Sequence, residues 1–420
     1  MPEPLSLYLH YPFCAKKCEY CDFLSWPAGD TARQAYLDAL GCEIAHSGME
    51  QAAVDTIFIG GGTPSLMMPK ELDHLMFLLA SRFAIQSDAE ITMECNPGTA
   101  DYDKLSAFRS LGINRLSIGV QSFRDDELRL LGRIHTAAEA RECYEAARRA
   151  GFANINLDLM SALPGQSFDD YMYSLRAAAD LDPEHISAYS LILEDGTPLK
   201  AHYEAGRLAK VPEDEEDRRM YHETKAYLAG RGYEKYEISN YAKPGFSCRH
   251  NLGYWSGHDY LGLGLGAASL VRGVRFRVTE KLPEYLACCQ EDTGAAHAAS
   301  LSEEGKSAAS SDEVLPDEVR ETDDLLTAVM KTPFLPGLHR DAELLSKEDQ
   351  MGEFMWLGLR KTKGVSEEDF RNRFGISIDA VFGKILKRHV SNGLLIREGG
   401  RIYLSEYGTD ISNFVMCDFV

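Results

Sequence analysis

The sequence predicts an α/β protein: a partial (β/α)6 barrel over residues 1–210, with a smaller C-terminal α+β winged-helix-like domain. Three observations predict it. From Leu5 to about Leu193, short β-type runs alternate with helix-type runs, as parallel strands joined by crossover helices require. Polar residues and glycines recur just after the strand-type runs, where ligands of parallel α/β architectures collect. The chain closes on two helix-type runs and a hairpin.

In chain order, the strand candidates are Leu7 to His10, Thr56 to Gly60, Glu90 to Glu94, Arg115 to Ile118, Asn154 to Leu159 and His185 to Leu191. Between them, Ala32 to Ala45, Pro69 to Phe83, Ala137 to Ala150 and Phe168 to Leu181 carry apolar residues at helical spacing. Residues 211–290 extend the barrel through a helix, a Tyr-rich stretch from Tyr233 to Tyr241 and a Gly-rich loop around Gly262 to Gly266. Residues 291–320, rich in Ala, Ser and Glu, read as a flexible linker or insertion. Residues 321–420 form the last domain. There Ser366 to Phe374 and Ile378 to Asn392 are helix-type, and Leu394 to Arg397 and Ile402 to Leu404 form a hairpin around Gly399-Gly400.

At 420 residues, with 45% hydrophobic and 26% charged residues, the chain has the composition of a globular protein of two or three domains. No apolar stretch is long enough to span a bilayer. Met1-Pro2-Glu3-Pro4 leads straight into a strand without the regions of a signal peptide, so the expected location is the cytoplasm. In that reducing setting the ten cysteines are not expected to form a disulfide framework. A net charge of −21 disfavours nucleic acid and anionic lipid as partners. The segment from Arg360 to Leu404 departs from that balance, with ten Lys or Arg against five Asp or Glu: a solvated helical face, or a surface for an acidic partner.

Three cysteines cluster. Cys14, Cys18 and Cys21 stand in a C-x3-C-x2-C loop directly after the first strand, with the aromatic Tyr20 before the third. Three thiolates can hold three irons of a cubane 4Fe–4S cluster and leave the fourth iron open to an amino-acid chelate. The alternative is a closed structural zinc site with His10 as fourth ligand. After the second strand, Gly60-Gly61-Gly62-Thr63-Pro64 lets the backbone approach a ligand closely. Glu94-Cys95-Asn96-Pro97, Gly119-Val120-Gln121-Ser122 and Asn156-Leu157-Asp158 add polar groups at later strand ends. Taken singly, each is as well explained by a structural hydrogen bond; converging on one barrel mouth, they point to a polar ligand.

With these residues the chain resembles the radical-SAM coproporphyrinogen dehydrogenase (HemN-like) family over nearly its whole length. The resemblance rests on Leu7 to Cys14, Ile59 to Pro64, Arg115 to Phe123, Leu131 to His135 and Asp158 to Gly165. It implies a 4Fe–4S cluster on Cys14, Cys18 and Cys21. It also implies that Tyr8, Tyr20, Gly61, Gly62, Thr63, Glu94, Gln121, Arg133 and Asp158 line an S-adenosylmethionine site. Arg133 suits a carboxylate. Ala162 stands where the family usually has glycine, which questions the local turn.

The family has an oxidative decarboxylase branch and a heme-chaperone branch. Phe23 occupies the position of a further cysteine in the decarboxylase motif, and the long arm of that branch has no counterpart before Cys14. His250-Asn251-Leu252-Gly253-Tyr254-Trp255 matches the H-N-x-x-Y-W motif of the heme-chaperone branch. The resemblance therefore implies heme as a third cofactor, with His250 as its ligand and Cys248 or His258 as alternatives, and an acceptor protein for the heme as partner. A decarboxylase acting on a porphyrinogen is the alternative function.

Overall fold

The structure is a computed structural model that describes residues 4–288, 327, 329 and 331–420. The stretch expected to be a linker, 291–320, lies outside the described residues.

Six parallel strands form the centre, in sequence order: β1 (Leu5–Tyr11), β2 (Ala53–Gly61), β3 (Ala84–Cys95), β4 (Arg115–Gln121), β5 (Ile155–Ser161) and β6 (His185–Ser190). The strands are covered on both faces, and β4 has all seven residues buried, the polar Arg115, Ser117 and Gln121 among them. The crossover helices include α1 (Asp30–His46), α2 (Pro69–Arg82), α3 (Tyr102–Ser110), α4 (Ala137–Arg149) and α5 (Phe168–Asp180). Three of them start on side chains that satisfy free backbone N–H groups: Asp101 for α3, Thr136 for α4 and Ser167 for α5. One core cluster runs from Leu5 to Leu338 and joins these helices to the sheet.

β1 and β6 do not pair, so the barrel is open and both of its edges are extended. Beyond β6 lie β7 (Asn240–Ala242) and a two-residue strand at Glu234–Lys235, both antiparallel. Beyond β1 lies β8 (Tyr260–Leu263), paired parallel with Leu7 opposite Leu261. It is followed by the antiparallel β9 (Ala268–Val271), β10 (Val274–Val278) and β11 (His339–Leu344). The short helix α6 (Arg249–Trp255) leads from the first extension to the second.

The C-terminal unit has its own core around Met355, Phe370, Phe382, Leu386 and Ile402. It contains α7 (Lys347–Gly358), α8 (Glu367–Phe374), α9 (Ile378–Ser391) and a three-stranded sheet of β12 (Val365–Ser366), β13 (Leu395–Glu398) and β14 (Arg401–Leu404). Its helices and hairpin follow the pattern read from sequence. It is pinned to the barrel by a bridge between Glu237 and Lys361, by Thr362 N–H donating to Tyr236 O (3.0 Å), and by Arg360 over the Trp255 ring at 4.3 Å.

Ala162 is held at φ 57°, in the left-handed region where the family's glycine is at ease. A non-glycine residue there costs about 1–2 kcal/mol, offset in part by its buried methyl group.

Candidate functional site

The site lies at the carboxyl ends of β1 to β6. Register places Tyr11 opposite Gly61, so the cysteine loop leaves β1 directly over the glycine run that ends β2. Phe13 anchors the loop edge-on against Tyr11, Trp26 and Tyr36. Glu19 N–H donates to Leu131 O (3.0 Å), and Leu199 N–H donates to Glu19 O (2.8 Å). Gly132, at φ 70°, makes the first of these possible, because a Cβ there would meet Glu19 Cγ at 2.7 Å. Tyr20 packs against Leu131, Met160 and Leu163. The loop is thus stapled to two later elements, which leaves Cys14, Cys18 and Cys21 half-buried and free of disulfides.

Under the loop is a cavity of about 380 Å3. The three cysteines, Tyr20, Gly61, Gly62, Thr63, Glu94, Gln121, Arg133 and Asp158 all line it. Gly61 sits at φ 111°, and a Cβ on it would meet the His10 ring at 2.5 Å; one on Gly62 would meet Phe13 O at 2.8 Å. Gly61 N–H donates to Glu94 Oε2 (3.0 Å). Arg133 reaches across to Asn96 Oδ1 (2.8 Å), Gly119 O (2.5 Å) and Cys18 Sγ (3.6 Å), while its Nε is buried with no partner among the described residues. Asn96 Nδ2 in turn donates to Thr63 Oγ1 (3.0 Å).

Burial, with the neighbouring Asp158 charge, pushes the Glu94 carboxyl up to about 8. Burial also raises Asp158, against the hydrogen bonds it accepts from Asn156 (2.7 Å) and Ser117 (3.3 Å). Two carboxyls facing one cavity, one of them neutral near pH 7, form a site prepared for a cation. Gln121 enters the cavity because of a break in register between β4 and β5, which leaves it at φ 68° with its Oε1 accepting from Tyr189 OH (3.0 Å).

Tyr8, expected here, is placed elsewhere, beside His250, the residue expected to hold heme. Tyr8 and His250 wall an adjoining cavity of about 290 Å3 with Tyr254 and Tyr260, and Phe58 and Asn251 are shared by both cavities. Tyr8 OH bonds His10 Nδ1 (3.1 Å). His250 is buried with Nδ1 bonded to Thr56 Oγ1 (2.9 Å) and Nε2 to Tyr254 OH (3.1 Å); burial, then the Arg115 charge, lowers it to about 3. Tyr189 is a site residue that sequence reasoning did not select, and Asn96 was named only within the strand-end run Glu94 to Pro97. Asn96 stands two residues past Glu94, and Tyr189 stands on the sixth strand, so the strand-end rule reaches both.

The donor set fits a cubane better than a zinc ion. Both ring nitrogens of His10 are engaged, by Tyr8 OH and Leu24 O, so His10 completes no tetrahedron. Among the described residues, no three His, Cys, Asp or Glu converge on one metal ion, whereas each thiolate of a cubane holds a different iron. The glycine cradle and the free Arg133 Nε leave room and polarity for an amino-acid group beside it.

Comparison with known proteins agrees with this geometry. The Radical SAM superfamily model matches residues 8–178, and the HemN C-terminal domain model matches residues 345–411. Heme chaperone HemW of Bacillus subtilis strain 168 is 35% identical over 99% of this chain and 99% of its own. HemW of Lactococcus lactis strain IL1403 is 31% identical over 100% and 98%, and that of Escherichia coli K12 is 42% identical over 63% and 69%. Among solved structures, coproporphyrinogen III oxidase HemN of Escherichia coli, a radical SAM enzyme, superposes over 100% of this chain and 90% of its own. Its TM-score is 0.78, at 22% identity, so it speaks for the fold. On whole-length identity, matching domains and fold, the chain belongs to the HemN-like radical-SAM family, on its HemW branch.

Proposed function

We propose that this chain holds a 4Fe–4S cluster on Cys14, Cys18 and Cys21, binds S-adenosylmethionine in the adjoining cavity, and binds heme that it passes to an acceptor protein in the cytoplasm. The observation that carries the reading is the stapled cysteine loop closing over Glu94, Arg133 and Asp158; the whole-length likeness to heme chaperones supports the heme step. No helix among the described residues is long and apolar enough to cross a membrane.

A cluster on these thiolates supplies an open iron and an electron. The chain's own residues do the rest. Gly61 and Gly62 leave the space an amino-acid group needs, Glu94 and Asp158 offer negative charge to an ammonium, and Arg133 offers its free Nε to a carboxylate. Leu131, Met160 and Leu163 hold Tyr20 and thereby the loop.

Because Glu94 holds its proton up to about pH 8, capturing a cationic ligand requires that the proton leave. Affinity for S-adenosylmethionine, measured by calorimetry on reconstituted protein, should therefore rise from pH 6.5 towards 8 and level off above it, by up to about tenfold per pH unit. The ligand-free fold should lose stability over the same range. Between the unfolded value, near 4.5, and about 8, only the folded state keeps this proton. A pH slope that survives in Glu94→Gln would assign the effect to another group.

The function is tested by anaerobic reconstitution with iron and sulfide, hemin titration, and a parallel assay for 5′-deoxyadenosine with and without coproporphyrinogen. Stoichiometric hemin binding without porphyrinogen-dependent cleavage supports the chaperone reading. Porphyrinogen-dependent cleavage without hemin binding replaces it with the decarboxylase.

A further inference from the structure

Three side chains near α6 have the chemistry of an axial heme ligand, and they differ in whether a lone pair is free. Cys248 is fully buried, burial pushes its thiol up to about 12, and it donates to Glu90 Oε1 at 3.4 Å. Both ring nitrogens of His250 are held by hydroxyl groups. His258 is half-buried, its ring nitrogens carry no hydrogen bond among the described residues, and it faces a separate cleft of about 620 Å3.

That cleft lies between the loop after α6 and the C-terminal unit. Trp255 and the α7 residue Phe354 bring flat rings to it, and Lys361, Arg373 and Arg401 bring cations. All three cations are satisfied by neutral oxygens. Lys361 Nζ donates to Ser256 Oγ (2.9 Å), Arg373 to Ser256 O and Gly257 O (3.5 and 3.3 Å), and Arg401 to Lys363 O and Gly364 O (2.8 and 3.2 Å). Among the described residues, none of the three has a carboxylate within salt-bridge distance. Asp259 and Asp369 also line the cleft, so it carries one net positive charge in a chain of net −21. A volume of this size lies within the range of roughly 300–1,000 Å3 that holds cofactors.

One ligand class meets an imidazole, flat rings and an excess of cations together: a metalloporphyrin carrying carboxylates. Resting on the heme-binding reading, we infer that this cleft is the porphyrin site, with His258 as axial ligand, Trp255 and Phe354 against the macrocycle, and Arg373, Arg401 and Lys361 on the propionates. The C-terminal unit then forms one wall of the heme site. Its basic residues serve the cofactor and not a nucleic acid.

The test is hemin titration of full-length reconstituted protein, followed by absorbance and electron paramagnetic resonance, with melting temperatures to confirm folding. His258→Ala should lose the histidine-ligated signature and bind hemin about tenfold or more weakly, while His250→Ala keeps that signature. Arg373→Gln should weaken hemin several-fold and leave hemin dimethyl ester, which lacks the free propionates, unaffected. If His258→Ala keeps the parent spectrum and affinity, the placement is overturned and the heme reading survives. A parent protein that binds no hemin overturns both.

Discussion

Cys18→Ala should abolish cluster assembly: iron content after anaerobic reconstitution falls from about four per chain to near zero, and S-adenosylmethionine binding falls with it. A cubane held by three thiolates has one ligand per protein-bound iron, so losing one leaves a second iron open and the cluster labile. Cys18 also contacts Arg133 Nη1 at 3.6 Å, so its loss disturbs the group suited to the carboxylate of the same ligand. The fold should survive, because the loop is half-buried and lies outside the main core. Cys417→Ala is the control: that residue is exposed and far along the chain, and its variant should load a full cluster. Full iron in Cys18→Ala would show that the loop is not the cluster's seat.

The parallel strands were legible because their physics is local. β1, β4 and β5 place an apolar residue at every second position, Leu5-Leu7-Leu9, Leu116-Ile118-Val120 and Ile155-Leu157-Leu159, while the residues between them in β4 and β5 line the cavity. An extension over residues 211–290 was read, but its strands beyond β1 and β6 were not legible. The Gly-rich loop read around Gly262 to Gly266 covers the turn at 264–266, but its start lies inside strand β8. Gly262 is needed there because a Cβ would meet Ala268 O at 2.2 Å, a constraint set by a neighbouring strand and not by local preference. The same limit applies at the sites. The cysteine spacing and the strand-end carboxyls point to one cavity from sequence alone. That Thr56 occupies a nitrogen of His250, 194 residues away, is visible only once the chain is folded.

The basic segment near the C-terminus divides the same way. Arg397 spans Glu367 and Asp379, and Arg388 meets Asp418, so these two cations are spent within the domain. Among the cations of this segment with no ion pair among the described residues, Lys361, Arg373 and Arg401 line the cleft beside His258. A count of basic residues gives a patch; only the pairing shows which charges are left for a ligand.

Gly61→Ala should damage the site through a single methyl group. At φ 111° any side chain is strained, by about 1–3 kcal/mol, and the new Cβ would lie 2.5 Å from the His10 ring. That ring cannot swing away cheaply, because Tyr8 OH and Leu24 O hold its two nitrogens. Overpacking of this kind costs about another 1–3 kcal/mol. Against a typical domain stability of about 5–15 kcal/mol, the variant should fold but melt several degrees lower. Ligand binding should suffer more than stability, because the Gly61 N–H that holds Glu94 moves with the backbone. S-adenosylmethionine affinity should fall by about a hundredfold or more, as a displacement of about 1 Å in a positioned site can cost. Gly98→Ala separates the two causes: Gly98 is also left-handed, at φ 84°, but nothing lies within 4 Å of its Cβ position, so only the backbone strain is added. Adding His10→Ala to Gly61→Ala should restore part of the melting temperature by removing the clash, without restoring full affinity. A Gly61→Ala protein that melts and binds like Gly98→Ala would mean that β1 and β2 are not in the close register on which the cavity depends.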